Sequence, residues 1–257
     1  MPSTELPKVS IIVPTYKECA NLEPLTQRIS ASLGSIPYEL IIVDDNSQDG
    51  TSELASKLSK KYPLHLLVRT NERGLSGAVL HGFAASRGQL MICMDADLQH
   101  PPEVLGAMVE RLKESEFVIG TRYMDGLMKV DEGWPVYRRV ISQGARLMAR
   151  PLTGMSDPMT GYFGIRRDVY ERGVRRVSAI GFKICLEMYV KCGVKKHAEV
   201  PIDFGVRVHG ESKLSSKVIV NYLKHLIELY LYKMPIVIAM IGIMILYVLY
   251  MIFSSIQ

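Results

Sequence analysis

The chain has 257 residues, 48% hydrophobic and 22% charged, enough for one large domain or two small ones around a sizeable core. Its formal net charge of +5 is too weak and too dispersed to argue for a nucleic-acid partner, and suits anionic small substrates or a membrane surface equally. Cys19, Cys93, Cys185 and Cys192 lack metal-ligand spacing, which argues against a cysteine-built metal site and predicts reduced, structural thiols in a reducing compartment.

Residues 1–7 hold no apolar core, so no N-terminal signal peptide is expected. Val9 to Val13 is a β-branched run that predicts a strand, and Asn21 to Leu33 has helical spacing. Leu40 to Val43 predicts a second strand, ending in Asp44-Asp45. A helix is expected from near Asp49-Gly50-Thr51, with Thr51 as its cap, to about Lys60. Leu64–Val68, Leu90–Met94 and Phe117–Ile119 predict three more strands, with helices over Leu75–Ser86 and Pro102–Lys113 between them. This alternation implies a mostly parallel sheet flanked by helices on both faces.

After Tyr123 the alternation ends. Residues 124–135 carry the turn signals Asp125-Gly126 and Asp131-Glu132-Gly133 and are expected to form a mobile loop. A helix bearing Tyr137, Arg138, Arg139, Ser142 and Arg146 follows. Beyond it come a turn at Ser156-Asp157-Pro158, a strand over Phe163–Ile165, a helix around Lys183–Lys191 and extended chain near His197–Val208.

The last segment differs. Pro235 to Phe253 contains no charged residue, and 19 residues of helix at about 1.5 Å each approach the thickness of a bilayer core. Residues 234–254 are therefore expected to form one transmembrane helix, followed by a short tail, 255–257. Lys213, Lys217, Lys224 and Lys233 precede the span, which places the large domain in the cytosol by the positive-inside rule. Lys217, Asn221, Lys224 and Glu228 make a narrow polar stripe, so 211–233 reads either as an amphipathic interface helix or as a helix packed on the main domain.

In an α/β sheet of this kind ligands bind beyond the carboxyl ends of the strands. The chemistry-bearing residues cluster there: Pro14–Glu18, Asp44–Thr51, Arg69–Gly77, Asp95–His100 and Gly120–Tyr123. Asp95 and Asp97 are one residue apart, so in extended chain they point the same way and can converge on one cation. Asp97 and Gln99 are both oxygen donors and are the expected ligands of a hard divalent ion, Mg2+ or Mn2+. Asp95 is expected to hold a nucleotide or to support the ion from outside its ligand set, and His100 to be an ordinary loop histidine. Arg122, Arg138 and Ser142 can hold an anion, with Arg138 and Ser142 on one helix face and Arg139 as a substitute for Arg138. Arg146, Arg166, Arg167, Arg175 and Arg176 are expected in solvated salt bridges.

The motifs Val-Pro-Thr-Tyr-Lys-Glu (13–18), Val-Asp-Asp-Asn-Ser-Gln-Asp-Gly-Thr (43–51), Arg-Gly-Leu-Ser-Gly-Ala (73–78), Asp-Ala-Asp-Leu-Gln-His-Pro-Pro-Glu (95–103), Gly-Thr-Arg-Tyr (120–123) and Gly-Glu-Ser-Lys-Leu (210–214), in this order, resemble the family 2 glycosyltransferases. The resemblance implies a GT-A fold over residues 1–210. Within the family it points to the group that passes mannose from GDP-mannose to dolichyl phosphate, with inversion. It places the guanosine among Pro14, Tyr16, Glu18, Val43, Asp45 and the Asp95-Ala96 backbone, and sets Lys183, Arg207 and Lys213 on the nucleotide phosphates or the acceptor. Lys17 departs from the pattern, since the family more often has Asn there.

The implied acceptor needs no base. A phosphate monoester has its second pKa near 6 and is largely dianionic at neutral pH. Glu187 could act as a base only in an enzyme with a hydroxyl acceptor. Rival functions are the same architecture with UDP-glucose or another polyprenyl phosphate, and a membrane-tethered nucleotide-binding scaffold. Membrane lipid is an implied partner, and no protein partner is read from the residues. The implied location is the endoplasmic reticulum membrane of a eukaryote or the cell membrane of a microbe. A gate at Glu211–Leu214 that orders on nucleotide binding is a further expectation.

Overall fold

Apolar runs buried on both faces build the centre of the sheet, as expected where helices cover each side. In the computed structural model, which describes residues 7–124, 127–128, 136–178, 183–205 and 216–254, the first half alternates as its sequence predicts. The order is β1 (Val9–Thr15), α1 (Cys19–Leu33), β2 (Tyr38–Asp44), α2 (Thr51–Leu58), β3 (Leu64–Val68), α3 (Leu75–Ala85), β4 (Leu90–Cys93), α4 (Leu105–Glu114) and β5 (Phe117–Thr121). Pro102–Val104 forms a 3-10 turn ahead of α4. One capping expectation changes. Asp49, not Thr51, caps α2: its Oδ1 accepts the Thr51 N–H at 3.1 Å and the Thr51 hydroxyl at 2.6 Å.

The second half holds a two-residue ladder of β6 (Tyr123–Met124) and β7 (Leu127–Met128), then α5 (Val136–Thr153), β8 (Phe163–Arg166), α6 (Arg167–Gly173), α7 (Ile184–Lys191) and β9 (His197–Pro201). The ladder occupies the start of the stretch expected to be a mobile loop; residues 125–126 and 129–135 lie outside the described residues.

Among the described residues the main sheet has seven strands in the order β3-β2-β1-β4-β8-β5-β9. Every pairing is parallel except those of β8, which runs antiparallel to β4 and β5. Gly164 makes this insertion possible, because a Cβ there would lie within 2.8–3.0 Å of Leu112, Ile92 and Val118. The reversal matters for the site. Phe163, the first residue of β8, lies beside Cys93 and Ile119, so the loop before β8 arrives at the carboxyl ends of β4 and β5.

The core on one face packs Leu22, Leu25 and Ile29 of α1 and Leu105, Met108 and Leu112 of α4 over Ile11, Val13, Ile92 and Val118. On the other, Phe83 of α3 meets Phe163 edge-on at 6.0 Å, and Phe163 stacks on Phe117 at 5.6 Å. Each fully buried side chain of this size contributes about 1.5–3 kcal/mol.

Residues 1–214 and 215–257 form two compact units. The second consists of α8 (Ser216–Lys233) and α9 (Pro235–Ser254). They are broken at Met234, where Pro235 removes a helix N–H and disfavours a helical residue before it. Among the described residues no single helix is long and apolar enough to cross a membrane; Ile219–Lys233 with Pro235–Met244, bent by 103°, meets the length and composition together.

Candidate active site

Three loops at the carboxyl ends of β1, β2 and β3 are tied together by two adjacent aspartates. Asp44 accepts the Thr15 hydroxyl at 2.9 Å, the Ser47 N–H at 2.8 Å and the Ser47 hydroxyl at 2.5 Å. Ser47 Oγ in turn accepts the Lys17 N–H at 2.8 Å. Lys17 is held at φ 62°, a left-handed conformation that asparagine adopts more readily than lysine, which gives a physical reason for the family's preference. Asp45 takes the Arg69 guanidinium on Oδ1 at 2.7 Å and the Gly74 N–H on Oδ2 at 2.7 Å, so it braces the start of α3.

Pro14 near the end of β1 and Tyr16 and Glu18 just past it are half-buried, and Val43, beside Pro14 on β2, is buried. The Tyr16 ring lies under the Arg73 guanidinium, 4.9 Å from its centroid, and its hydroxyl accepts from Arg73 at 3.1 Å. Asn21 donates to Glu18 at 2.7 Å. These residues lie at or just past the carboxyl ends of β1 and β2.

After β4 the chain turns sharply at Leu98, φ 63°. Ala96 and Asp97 are buried, whereas the Asp95 side chain is 38% exposed. Asp97 Oδ1 accepts the Gln99 N–H at 3.2 Å. The Gln99 amide donates to Gly205 O at 3.0 Å, which turns its Oε1 away from that bond, and Gly205 N–H returns a bond to Gln99 O at 3.2 Å. This donor set of carboxylate and amide oxygens fits a hard divalent ion. Among the described residues no three His, Cys, Asp or Glu side chains form a metal-binding group. A magnesium-type ion held by one or two carboxylates together with substrate phosphates and water needs none. His100 is structural: Nδ1 accepts the Asp95 N–H at 3.0 Å, and the ring packs on Tyr162 and Phe204.

The other wall comes from the loop before β8. Asp157 is fully buried and receives Arg122 through Nε at 2.7 Å and Nη2 at 2.8 Å. Burial opposes the charge of Arg122, but Asp157 outweighs it and lifts the guanidinium pKa above the ordinary arginine value. Phe204 packs on the same guanidinium at 5.3 Å. Lys183, just before α7, donates to Met159 O at 3.4 Å; burial and the Arg122 charge push its pKa down, against Asp157 and Asp95. Ser142 lies half-buried on α5 and hydrogen-bonds Tyr123. Arg138 is on the same helix, but its side chain lies outside the described residues, as do Arg207, Lys213 and the stretch 211–214.

One expectation is corrected. Arg146 is not a solvated ion pair: it is 6% exposed, donates to Ser156 O at 2.5 Å and stacks on Tyr123 at 4.0 Å. Arg167 forms the expected ion pair, with the exposed Glu171 at 3.9 Å, and also donates to the carbonyls of Ser86 and Gly88. Arg166 does form an exposed pair, with Asp168. Glu187 is fully buried and bound by Lys191 at 2.7 Å and by Ser178, a setting unsuited to a base. Asp157, Ser156 and Glu199 were not read as site residues from the sequence. The only signal was the turn at 156–158, which says nothing of what it touches.

Residues 10–174 match Glycosyl transferase family 2. Dolichol-phosphate mannosyltransferases from Mycosarcoma maydis and Saccharomyces cerevisiae are 48% and 50% identical, over 95% and 87% of this chain, and in each case over 87% of their own length. Among solved structures, glucosyl-3-phosphoglycerate synthase from Mycobacterium tuberculosis, in complex with Mn2+, UDP and glucosyl-3-phosphoglycerate, superimposes with a TM-score of 0.62. It is 20% identical, over 88% of this chain and 80% of its own. A mannosyltransferase from Pyrobaculum calidifontis, in complex with GDP-Man and Mn2+, gives 0.55 at 19% identity, over 78% of this chain and 56% of its own. At such identities the structural likeness is one of fold.

Proposed function

We propose that this chain, which belongs to glycosyl transferase family 2 and to its dolichol-phosphate mannosyltransferases, passes mannose from GDP-mannose to dolichyl phosphate at the cytosolic face of a membrane, with inversion. Its GT-A fold gathers the donor side over β1, β2 and β4. Pro14, Tyr16, Glu18, Val43, Asp45 and the Asp95-Ala96 backbone take the nucleoside, and Lys183, Arg207 and Lys213 the phosphates. Asp97 and Gln99 would hold Mg2+ or Mn2+. When bound, that ion offsets the charge growing on the diphosphate leaving group. The solved mannosyltransferase with GDP-Man and Mn2+ supports both the nucleotide sugar and the ion.

On the acceptor side Arg122, Arg138 and Ser142 hold the lipid phosphate in line with the anomeric carbon. One of its oxygens bonds to that carbon as the bond to the diphosphate breaks, and GDP leaves. No side chain need remove a proton. The pair with Asp157 suits this role, because a fixed, neutralised fork can orient a dianion without quenching its nucleophilicity.

The observation that carries the lipid acceptor is α5. The helix that brings in Ser142 exposes Tyr137, Val140, Ile141, Leu147 and Met148 at helical spacing, with Arg139 and Arg150 nearby. An apolar stripe with basic flanks, on the helix that also holds the phosphate, suits a membrane surface from which only the headgroup enters the site. We assign the second unit to the membrane, with α8 at its interface and α9 entering it as the two arms of the bent pair, in the endoplasmic reticulum membrane of a eukaryote, with residues 1–210 catalytic.

The test is transfer of labelled mannose from GDP-mannose to dolichyl phosphate in liposomes, read as label extracted into organic solvent. Transfer should require Mg2+ or Mn2+ and should fail with UDP-glucose. Equal transfer from UDP-glucose, or full transfer after chelation, would overturn the assignment.

A further inference from the structure

Arg146 sits one helical turn beyond Ser142 on α5, and it is buried without a carboxylate partner among the described residues. Removing a guanidinium from water is costly unless its donors are directed at something. Here Nε donates to the carbonyl of Ser156, at 2.5 Å, and the charged plane stacks 4.0 Å from the Tyr123 ring centroid. Both partners lie next to acceptor-side residues. Tyr123 follows Arg122, its hydroxyl donates to Gln143 at 3.1 Å, and it hydrogen-bonds Ser142. Ser156 precedes Asp157, the partner of Arg122.

The partners are themselves anchored. Thr121 Oγ1 meets Ser156 Oγ at 2.6 Å, and Tyr123 N–H donates to Thr121 Oγ1 at 3.1 Å. Glu199 of β9 accepts the Ser156 N–H at 2.7 Å and also the Ser156 hydroxyl. The result is one connected frame from β9 through the loop before β8 to β5, with α5 joined to it by Arg146.

We infer that Arg146 is a positioning residue for the acceptor, locking α5 against β5 and the Ser156–Asp157 turn so that Ser142 and Arg122 present their donors to one phosphate. This rests on the acceptor role proposed for those two residues. The function needs an arginine. A planar fork can stack on a ring and aim an N–H at a carbonyl at the same time, whereas a lysine has one ammonium nitrogen to divide between the two and no plane to stack. Arg146 touches no reacting atom in this scheme, and the donor side lies on other elements, so its loss should be felt by one substrate only.

The test is two-substrate kinetics with the full chain in liposomes containing dolichyl phosphate, comparing wild type, Arg146→Lys, Tyr123→Leu and the double variant. GDP affinity is measured beside it by calorimetry. Arg146→Lys should raise the KM for dolichyl phosphate about tenfold, the scale of one desolvated cation–π contact. The KM for GDP-mannose and the affinity for GDP should stay within about twofold of wild type. The double variant should be little worse than the poorer single one, since both break the same contact. Should Tyr123→Leu fail to fold, Arg146→Lys carries the test alone. Wild-type protein that does not mannosylate dolichyl phosphate would remove the acceptor assignment, and this inference with it. Active wild type with an unchanged acceptor KM in Arg146→Lys, or with both KM values shifted alike, would overturn the clamp only.

Discussion

Arg122 and Asp157 meet through two parallel hydrogen bonds, at 2.7 and 2.8 Å, and a third from the Arg122 backbone N–H reaches the same carboxylate at 3.3 Å. The carboxylate side chain is fully buried and the guanidinium nearly so. A planar fork on a planar acceptor fixes the rotation of the arginine as well as its position. The Arg122 side chain, just past β5, is therefore set by the loop before β8.

Asp157→Asn should uncover how much depends on that pair. It leaves a buried guanidinium short of its counter-charge, which costs about 3–5 kcal/mol when one partner of a buried pair is removed. The denaturant midpoint should fall accordingly, and transfer to dolichyl phosphate should fall further than the folded fraction alone explains. A midpoint equal to that of wild type would show that water reaches the pair.

Asp97→Asn tests the donor side. It removes the buried carboxylate assigned to the cation, and transfer should drop at least about a hundredfold, the scale of losing a strong electrostatic contribution at a leaving group. Far-ultraviolet circular dichroism should be unchanged, because asparagine keeps an oxygen that can accept the Gln99 N–H.

Glu39 gives the pH dependence a sign. Burial raises its pKa, but the Ser10 hydroxyl and the Arg87 backbone and guanidinium outweigh burial and hold it below the ordinary value of 4.5. A carboxyl depressed on folding adds stability that is fully present above the unfolded pKa. That stability is lost as pH falls through the folded value. The urea midpoint of wild type should therefore drop on acidification below about pH 4.5. Glu39→Gln should be less stable at neutral pH, with a shallower drop over that range. Parallel curves for the two proteins would contradict the assignment.

The exposed stripe of α5 gives a test of membrane contact. Val140→Asp with Leu147→Asp places charge where lipid is expected, on side chains 64% and 53% exposed. Transfer to dolichyl phosphate held in a bilayer should fall about tenfold, a fraction of the free energy of burying two aliphatic side chains. Thermal stability should hold, since neither side chain supports the core. Unchanged flotation with liposomes and unchanged transfer would assign that face elsewhere.

Local pattern made much of this protein legible. The β-branched and apolar runs of β1 to β5 and the periodic helices between them announce themselves within single segments, because period and burial are properties of neighbours in sequence. The alternation then places the candidate residues at the strand ends. Extended geometry predicts Asp95 and Asp97 on one side, whereas the chain bends over 96–98 and leaves an exposed Asp95 side chain next to a buried Asp97. Thr51 shows the limit of that method. The aspartate two residues earlier is equally visible, and the N-cap position itself falls on Gly50, at φ 95° between them.

What the sequence by itself determined was therefore the α/β frame and the strand-end loops that carry the candidate residues, each written in adjacent residues. Only the tertiary structure decided what surrounds Arg122. The antiparallel course of β8 carries Ser156 and Asp157 to Arg122, thirty-five residues away, and brings Glu199 and Arg146 to the same turn. An ion pair and a stacked guanidinium leave no trace in spacing, because the partners become neighbours only once strand order is set, and strand order is a contest among long-range pairings that no local pattern records.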